Sequence, residues 1–136
     1  MIRPIMHDPM FLSQPSADAD QSDRQTAIDL AETLQAHAHE CVGMAANMIG
    51  VRKRIIAVSM GGLAVVMINP VIVRKRQPYE AEEGCLSLGG VRKTTRYKEI
   101  EVTYLDGGFR PRRTTFRDWT AQIIQHEVDH CDGILI

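Results

Sequence analysis

Apolar residues recur at helical spacing early in the chain: Ala27, Ile28, Ala31, Leu34 and Ala38, after the capping candidate Asp23. That spacing predicts a helix over residues 24–39. A second helical pattern runs from Arg117 to Asp129, with Gly133 as its natural stop. Between them the pattern changes to β-branched runs. "RIIAVSM" (54–60) and "LAVVMINP" (63–70) are joined by Gly61-Gly62, which predicts a hairpin, and "VIV" (71–73) continues the extended chain. "IEVTYL" (100–105) alternates as a strand and ends in a turn at Asp106-Gly107-Gly108. Residues 1–21, rich in proline and aspartate, read as an irregular arm, and "EGCLSLGGVRK" (83–93) as a glycine-punctuated loop. Strands followed by a late helix place the chain in the α+β class.

A length of 136 residues fits a single domain, residues 1–136, that buries its own core. With 44% hydrophobic and 24% charged residues and a formal net charge of −1, composition excludes a disordered or coiled-coil chain. No apolar run is long enough to span a bilayer, and the N-terminal stretch lacks the apolar core of a signal peptide, so a cytoplasmic protein is expected. Three cysteines, Cys41, Cys85 and Cys131, cannot all pair within one chain, which leaves at least one free thiol for metal binding. Basic clusters stand at 52–54, 74–76 and 110–113 without interleaved aromatic residues. With a near-neutral net charge, no nucleic-acid partner is expected.

The chemistry concentrates in His126-Glu127-Val128-Asp129-His130. On a helix, residues four apart share a face, so both imidazoles reach one ion. Glu127, beside the first of them, is placed to take a proton from water activated by that ion. His7, His37 and His39 carry no such pattern and read as surface residues. A catalytic site of this kind needs a third protein ligand, an acid or a cysteine. Cys85 is the leading candidate, because Gly84 and Gly89-Gly90 let its loop approach closely. Cys41 and Cys131 read as core residues. Two imidazoles and a thiolate suit iron(II), zinc(II) or nickel(II) without deciding among them.

Three motifs in order then carry a resemblance: "CVGMAANM" at 41–48, "EGCLS" at 83–87 and "QHEVDH" at 125–130. The chain resembles the peptide deformylases, whose motifs are Gly–hydrophobic–Gly–hydrophobic–Ala–Ala–x–Gln, Glu–Gly–Cys–Leu–Ser and Gln–His–Glu–x–Asp–His. The second and third are complete here, and the similarity extends through "IRPIMHDPMFL" and "GGVRKTTRYKEIEVTYLDGG" to nearly the whole chain. A metallopeptidase of another H-E-x-x-H family would not need "EGCLS".

The resemblance implies antiparallel β-sheets packed around a central C-terminal helix that carries the metal motif. It implies a metal-dependent hydrolase that removes the formyl group from the N-terminal formylmethionine of nascent peptides at the ribosome. Cys85, His126 and His130 would bind one divalent ion, iron(II) foremost, with zinc(II) and nickel(II) as alternatives. Glu127 would be the general acid and base, and the backbone N–H of Leu86 would hold the oxyanion. Val42 and Gly43 would pair with an extended substrate, Ile123 would wall the methionine pocket, and Glu83 would also contact substrate.

Four departures from the pattern matter. Met48 stands where the family's glutamine donates its side-chain amide to the oxyanion, and one such donor typically carries about 10²–10³ in rate. Cys41 replaces the first glycine of the same motif, and Asp118 the glycine that usually starts the last helical region. The sequence ends six residues beyond His130, where many relatives continue. The Met48 change leaves an alternative reading: a deformylase-like paralogue that binds metal but is catalytically impaired or altered in substrate. In an extended chain neighbours alternate in direction, so Met48 is expected to face the metal and Asn47 to face away.

Overall fold

The computed structural model describes residues 1–85 and 87–136. Five strands form one antiparallel sheet in sequence order: β1 (Gly43–Ala45), β2 (Ile55–Met60), β3 (Leu63–Gly84), β4 (Val91–Leu105) and β5 (Pro111–Arg117). Three helices accompany it: α1 (Pro9–Leu12), α2 (Arg24–Ala36) and α3 (Asp118–Cys131).

Strand β2 is buried on both faces, which explains why it is a continuous apolar run rather than an alternating one. Ile55 and Ala57 join Leu30, Leu34, Met44 and Ile68 in a core under α2. Ile56 and Val58 point to the other side, where Met67, Ile100, Val102 and Ile124 form a second core under α3. The glycine hairpin is as expected: Gly61 and Gly62 both adopt positive φ, at 58° and 85°.

Helix α2 is shorter than its predicted span, ending at Ala36. Its buried stripe is Ala27, Leu30 and Leu34, while Ile28 is 46% exposed. Asp23 does not cap it; its carboxylate accepts from the Asp20 backbone N–H, and Asp20 in turn accepts from Ser22 in a preceding 3-10 turn.

The largest difference lies in β3 and β4. The strand from Leu63 continues through the basic cluster to Gly84 and pairs with β4 as far as Gly84↔Val91. Only residues 85–90 remain between the two strands. β5, without a strong alternating signal, pairs with β4 from Glu99↔Arg117 to Leu105↔Pro111. This half of the sheet is a ribbon whose residues are mostly exposed, so hydrophobic periodicity does not mark it.

Candidate active site and metal centre

Three segments meet at one end of the sheet: the edge strand β1 with the 3-10 turn after it (Ala46–Ile49), the β3–β4 connection, and the inner face of α3. They enclose a cavity of about 410 Å³ lined by Val42, Gly43, Met48, Glu83, Cys85, Ile123, His126 and Glu127, among others.

Helix α3 carries two ligand candidates one turn apart. His126 and His130 are buried, and their Nε2 atoms are 3.0 Å from each other. Cys85, brought in by the connection after Gly84, places Sγ 3.4 Å from His130 Nε2. All three ligand atoms lie within 4.8 Å of one another. A tetrahedral ion with metal–sulfur about 2.3 Å and metal–nitrogen about 2.0–2.1 Å requires ligand atoms roughly 3.3–3.6 Å apart, close to what is found. One soft thiolate and two imidazoles also fit a divalent transition metal by donor chemistry.

The ring of His126 is oriented from behind. Its Nδ1–H donates to Glu83 Oε1 at 2.7 Å, so Nε2 faces the other ligands. The Glu83 carboxylate also accepts from Arg96 Nε and Nη2 and from Gln122 Nε2. Arg96 reaches on to Asp129 at 2.6 Å. Glu83, expected to contact substrate, has its carboxylate bonded to His126, one of the candidate ligands. Burial raises the Glu83 pKa, but His126 and Arg96 outweigh it and bring it down to about 2. Burial disfavours charge on both histidines. It brings His130 down to about 3, whereas hydrogen bonding to Cys85 and Glu83 reverses the effect at His126 and raises it to about 10. The neighbouring Gln125 clamps α3 to β4, accepting from Tyr97 N and donating to Tyr97 O.

Glu127 is 4% exposed and lines the cavity. Its Oε1 is buried with no protein partner among the described residues. Burial raises its pKa to about 7, in the range where a carboxylate both accepts and returns a proton near neutrality. Gly43 lies directly opposite. A Cβ at that position would sit 2.7 Å from Ile123 Cγ2 and 2.9 Å from Glu127 Oε2, so only glycine lets β1 approach α3 this closely.

Met48 lines the cavity, but its sulfur turns back to accept the Ala45 N–H at 3.4 Å. It presents no donor there. Asn47 points the other way and donates from Nδ2 to the His130 carbonyl at 2.9 Å. The segment is a 3-10 turn rather than extended chain, and the turn separates the two side chains. Cys131 is core, as expected. Cys41 is not: it is half-buried, lines the cavity and donates its thiol to Gly43 O at 2.8 Å. Burial and the Glu127 charge push it up to about 11. Leu86, expected to supply the oxyanion N–H, lies outside the described residues.

Sequence reasoning missed His7. Its Nδ1–H donates to Ser87 O at 2.8 Å, and the preceding Met6 N–H donates to Met48 O at 2.7 Å. Adjacent residues of the arm thus hold two walls of the cavity. Asp118 adopts φ 55°, the left-handed conformation for which a glycine is the usual choice. Among the described residues no helix is long and apolar enough to cross a membrane.

Comparison with known proteins accords with this geometry. The family described as polypeptide deformylase matches residues 2–136. The chain is 56% identical over 136 residues to a peptide deformylase of Clostridium beijerinckii, covering 100% of both. It is 37% identical over 147 residues to one from Orientia tsutsugamushi, covering 95% of this chain and 80% of that one. A crystal structure of a Legionella pneumophila peptide deformylase superposes with a TM-score of 0.88 at 31% identity, over 99% of this chain and 83% of that one. A Met-Ala-Ser-bound Acinetobacter baumannii deformylase gives 0.87 at 29% identity, over 99% and 96%. The impaired-paralogue reading of Met48 is not favoured by identity of this extent. The chain belongs to the peptide deformylase family, the metal-dependent hydrolases that remove the formyl group from the N-terminus of peptides.

Proposed function

We propose that Cys85, His126 and His130 hold the divalent ion of this deformylase and that Glu127 moves the proton. The observation that carries the assignment is their convergence: three buried ligand atoms within 4.8 Å of one another, with Cys85, His126 and the buried, unpartnered carboxylate of Glu127 lining one cavity. Iron(II) is the ion we assign, with zinc(II) and nickel(II) accepted by the same donors. When bound, the ion supplies a Lewis acid that polarises the formyl carbonyl and makes water acidic enough to react near neutral pH.

The chain's own residues do the rest. Glu127 accepts a proton from the attacking water and delivers it to the amine nitrogen as the C–N bond breaks, leaving formate and a free N-terminus. Its raised pKa suits both halves of that transfer. The substrate backbone pairs with the free edge of β1 beside Val42 and Gly43, by strand addition. Ile123, next to His126 in the cavity wall, contacts the methionine side chain. Glu83 acts by orienting His126. Nascent chains leaving the ribosome carry the formyl group, so we assign them as the substrates. The Met-Ala-Ser peptide on the Acinetobacter baumannii relative has the form of the product after deformylation.

Formate release from formyl-Met-Ala-Ser by iron(II)-loaded protein tests this reading. Glu127→Ala is expected to abolish turnover while zinc binding is retained, and Cys85→Ala to weaken zinc binding itself. Undiminished turnover in Glu127→Ala would overturn the assignment.

A further inference from the structure

A metal-ligating imidazole is usually fixed by a hydrogen bond at its other nitrogen, which sets both tautomer and ring orientation. His126 has such a partner in Glu83. His130 is fully buried, and its Nδ1 has no protein partner among the described residues. A buried ring N–H left without a hydrogen-bond partner is destabilising.

One side chain next to His130 has the complementary need. Asn47, also at 0% exposure, donates from Nδ2 to the His130 carbonyl, yet its own Oδ1 is buried without a partner. A donor and an acceptor are thus both unused on two side chains already joined through the His130 backbone. We propose that Asn47 is the positioning residue of His130, its amide nitrogen fixing the backbone and its Oδ1 receiving the Nδ1–H through one buried water molecule. The two atoms do not bond each other directly, and a water with these two polar partners satisfies both at once. Asn47 then does for His130 what Glu83 does for His126, without adding a second charge behind the ligand pair. The 3-10 turn of Ala46–Ile49 makes this possible, because it aims Asn47 at α3 while Met48 faces the cavity.

The inference rests on His130 being a ligand through Nε2, and the test keeps the two apart. Zinc affinity is measured by competition with a chromogenic chelator for wild type, Asn47→Leu, Asn47→Asp and His130→Ala, alongside thermal unfolding of the zinc-free proteins. Asn47→Leu keeps the volume and is expected to lose about 10–100-fold in zinc affinity. Asn47→Asp keeps the acceptor but gives up the amide donor to the His130 carbonyl, and is expected to lose less zinc affinity than Asn47→Leu, a split that a purely structural role would not produce. In nitrogen-15 spectra of zinc-loaded wild type the His130 Nδ1–H is expected at the downfield proton shift of a hydrogen-bonded ring N–H, a reading available even where Asn47→Leu does not fold. Wild-type affinity in Asn47→Leu, equal losses in both Asn47 variants, or an Nδ1–H at the shift of a ring N–H without a hydrogen bond would overturn the role of Asn47. Undiminished affinity in His130→Ala would overturn the ligand assignment beneath it.

Discussion

Gly43 is the position at which one methyl group would disturb the chemistry most directly. Its missing Cβ is what keeps Glu127 Oε2 and Ile123 Cγ2 in place. Gly43→Ala is expected to push the carboxylate out of line and lower kcat/KM by about 10²-fold, with zinc affinity, measured by chelator competition, close to wild type. Met48 makes the opposite case. Its sulfur is turned to its own backbone, so the residue fills space and offers no hydrogen-bond donor to the oxyanion. Met48→Leu conserves volume and is expected to leave formate release within a few-fold of wild type. A loss of 10²-fold would show that the sulfur has a polar role. The sequence was enough to see that an amide was missing at this position. It could not show where the sulfur turns, because that depends on the fold of the 3-10 turn.

At the scale of elements, a chain of charge ties α3 to the β3–β4 ribbon. Arg96 on β4 bridges Glu83 on β3 and Asp129 on α3. Removing the guanidinium leaves two carboxylates without their cation, so Arg96→Leu is expected to cost about 3–5 kcal/mol, read from denaturant unfolding. The pH dependence has a definite sign. The Glu83 pKa is lowered on folding to about 2. Its stabilising contribution is therefore present above the unfolded-state value, near 4.3, and is lost as pH falls towards 2. Unfolding midpoints measured from pH 6 down to pH 2 are expected to fall in that window, and to fall less in Arg96→Leu. None of these partnerships has a sequence signature. In the sequence Glu83 reads as a motif residue expected to contact substrate and Arg96 as one more basic residue; only the long strands β3 and β4 bring the two together.

Across the whole molecule, the N-terminal arm acts as a strap. Ser16 N–H caps the Cys131 carbonyl at the end of α3, while Met6 and His7 hold the Met48 and Ser87 carbonyls. Gly133 closes the same region with φ 77°, and a Cβ there would lie 2.5 Å from Ser13 O. Gly133→Ala meets backbone rather than a movable side chain, so a loss of at least 2 kcal/mol is expected from thermal unfolding, roughly the upper range for ordinary substitutions. His7→Ala removes only one hydrogen bond. It is expected to leave global stability within about 1.5 kcal/mol and to accelerate hydrogen exchange in residues 87–90. Unchanged exchange there would show that the strap does not restrain the connection.

The sequence by itself determined the chemistry of this protein. His126 and His130 share a helix face by local periodicity, with Glu127 adjoining them, and short motifs of fixed spacing name Cys85 as the candidate third donor. Local geometry is enough for that, because i and i+4 are neighbours on any helix. Apolar runs likewise marked the buried strands, since both faces of β2 are covered. What surrounds the ligands was decided only by tertiary structure. Glu83 behind His126, Asn47 behind His130, His7 on the Ser87 carbonyl and Gly43 against Glu127 all join residues more than thirty positions apart. Each is a single polar or steric contact with no periodicity of its own, so the pattern of hydrophobic and polar positions carries no trace of it.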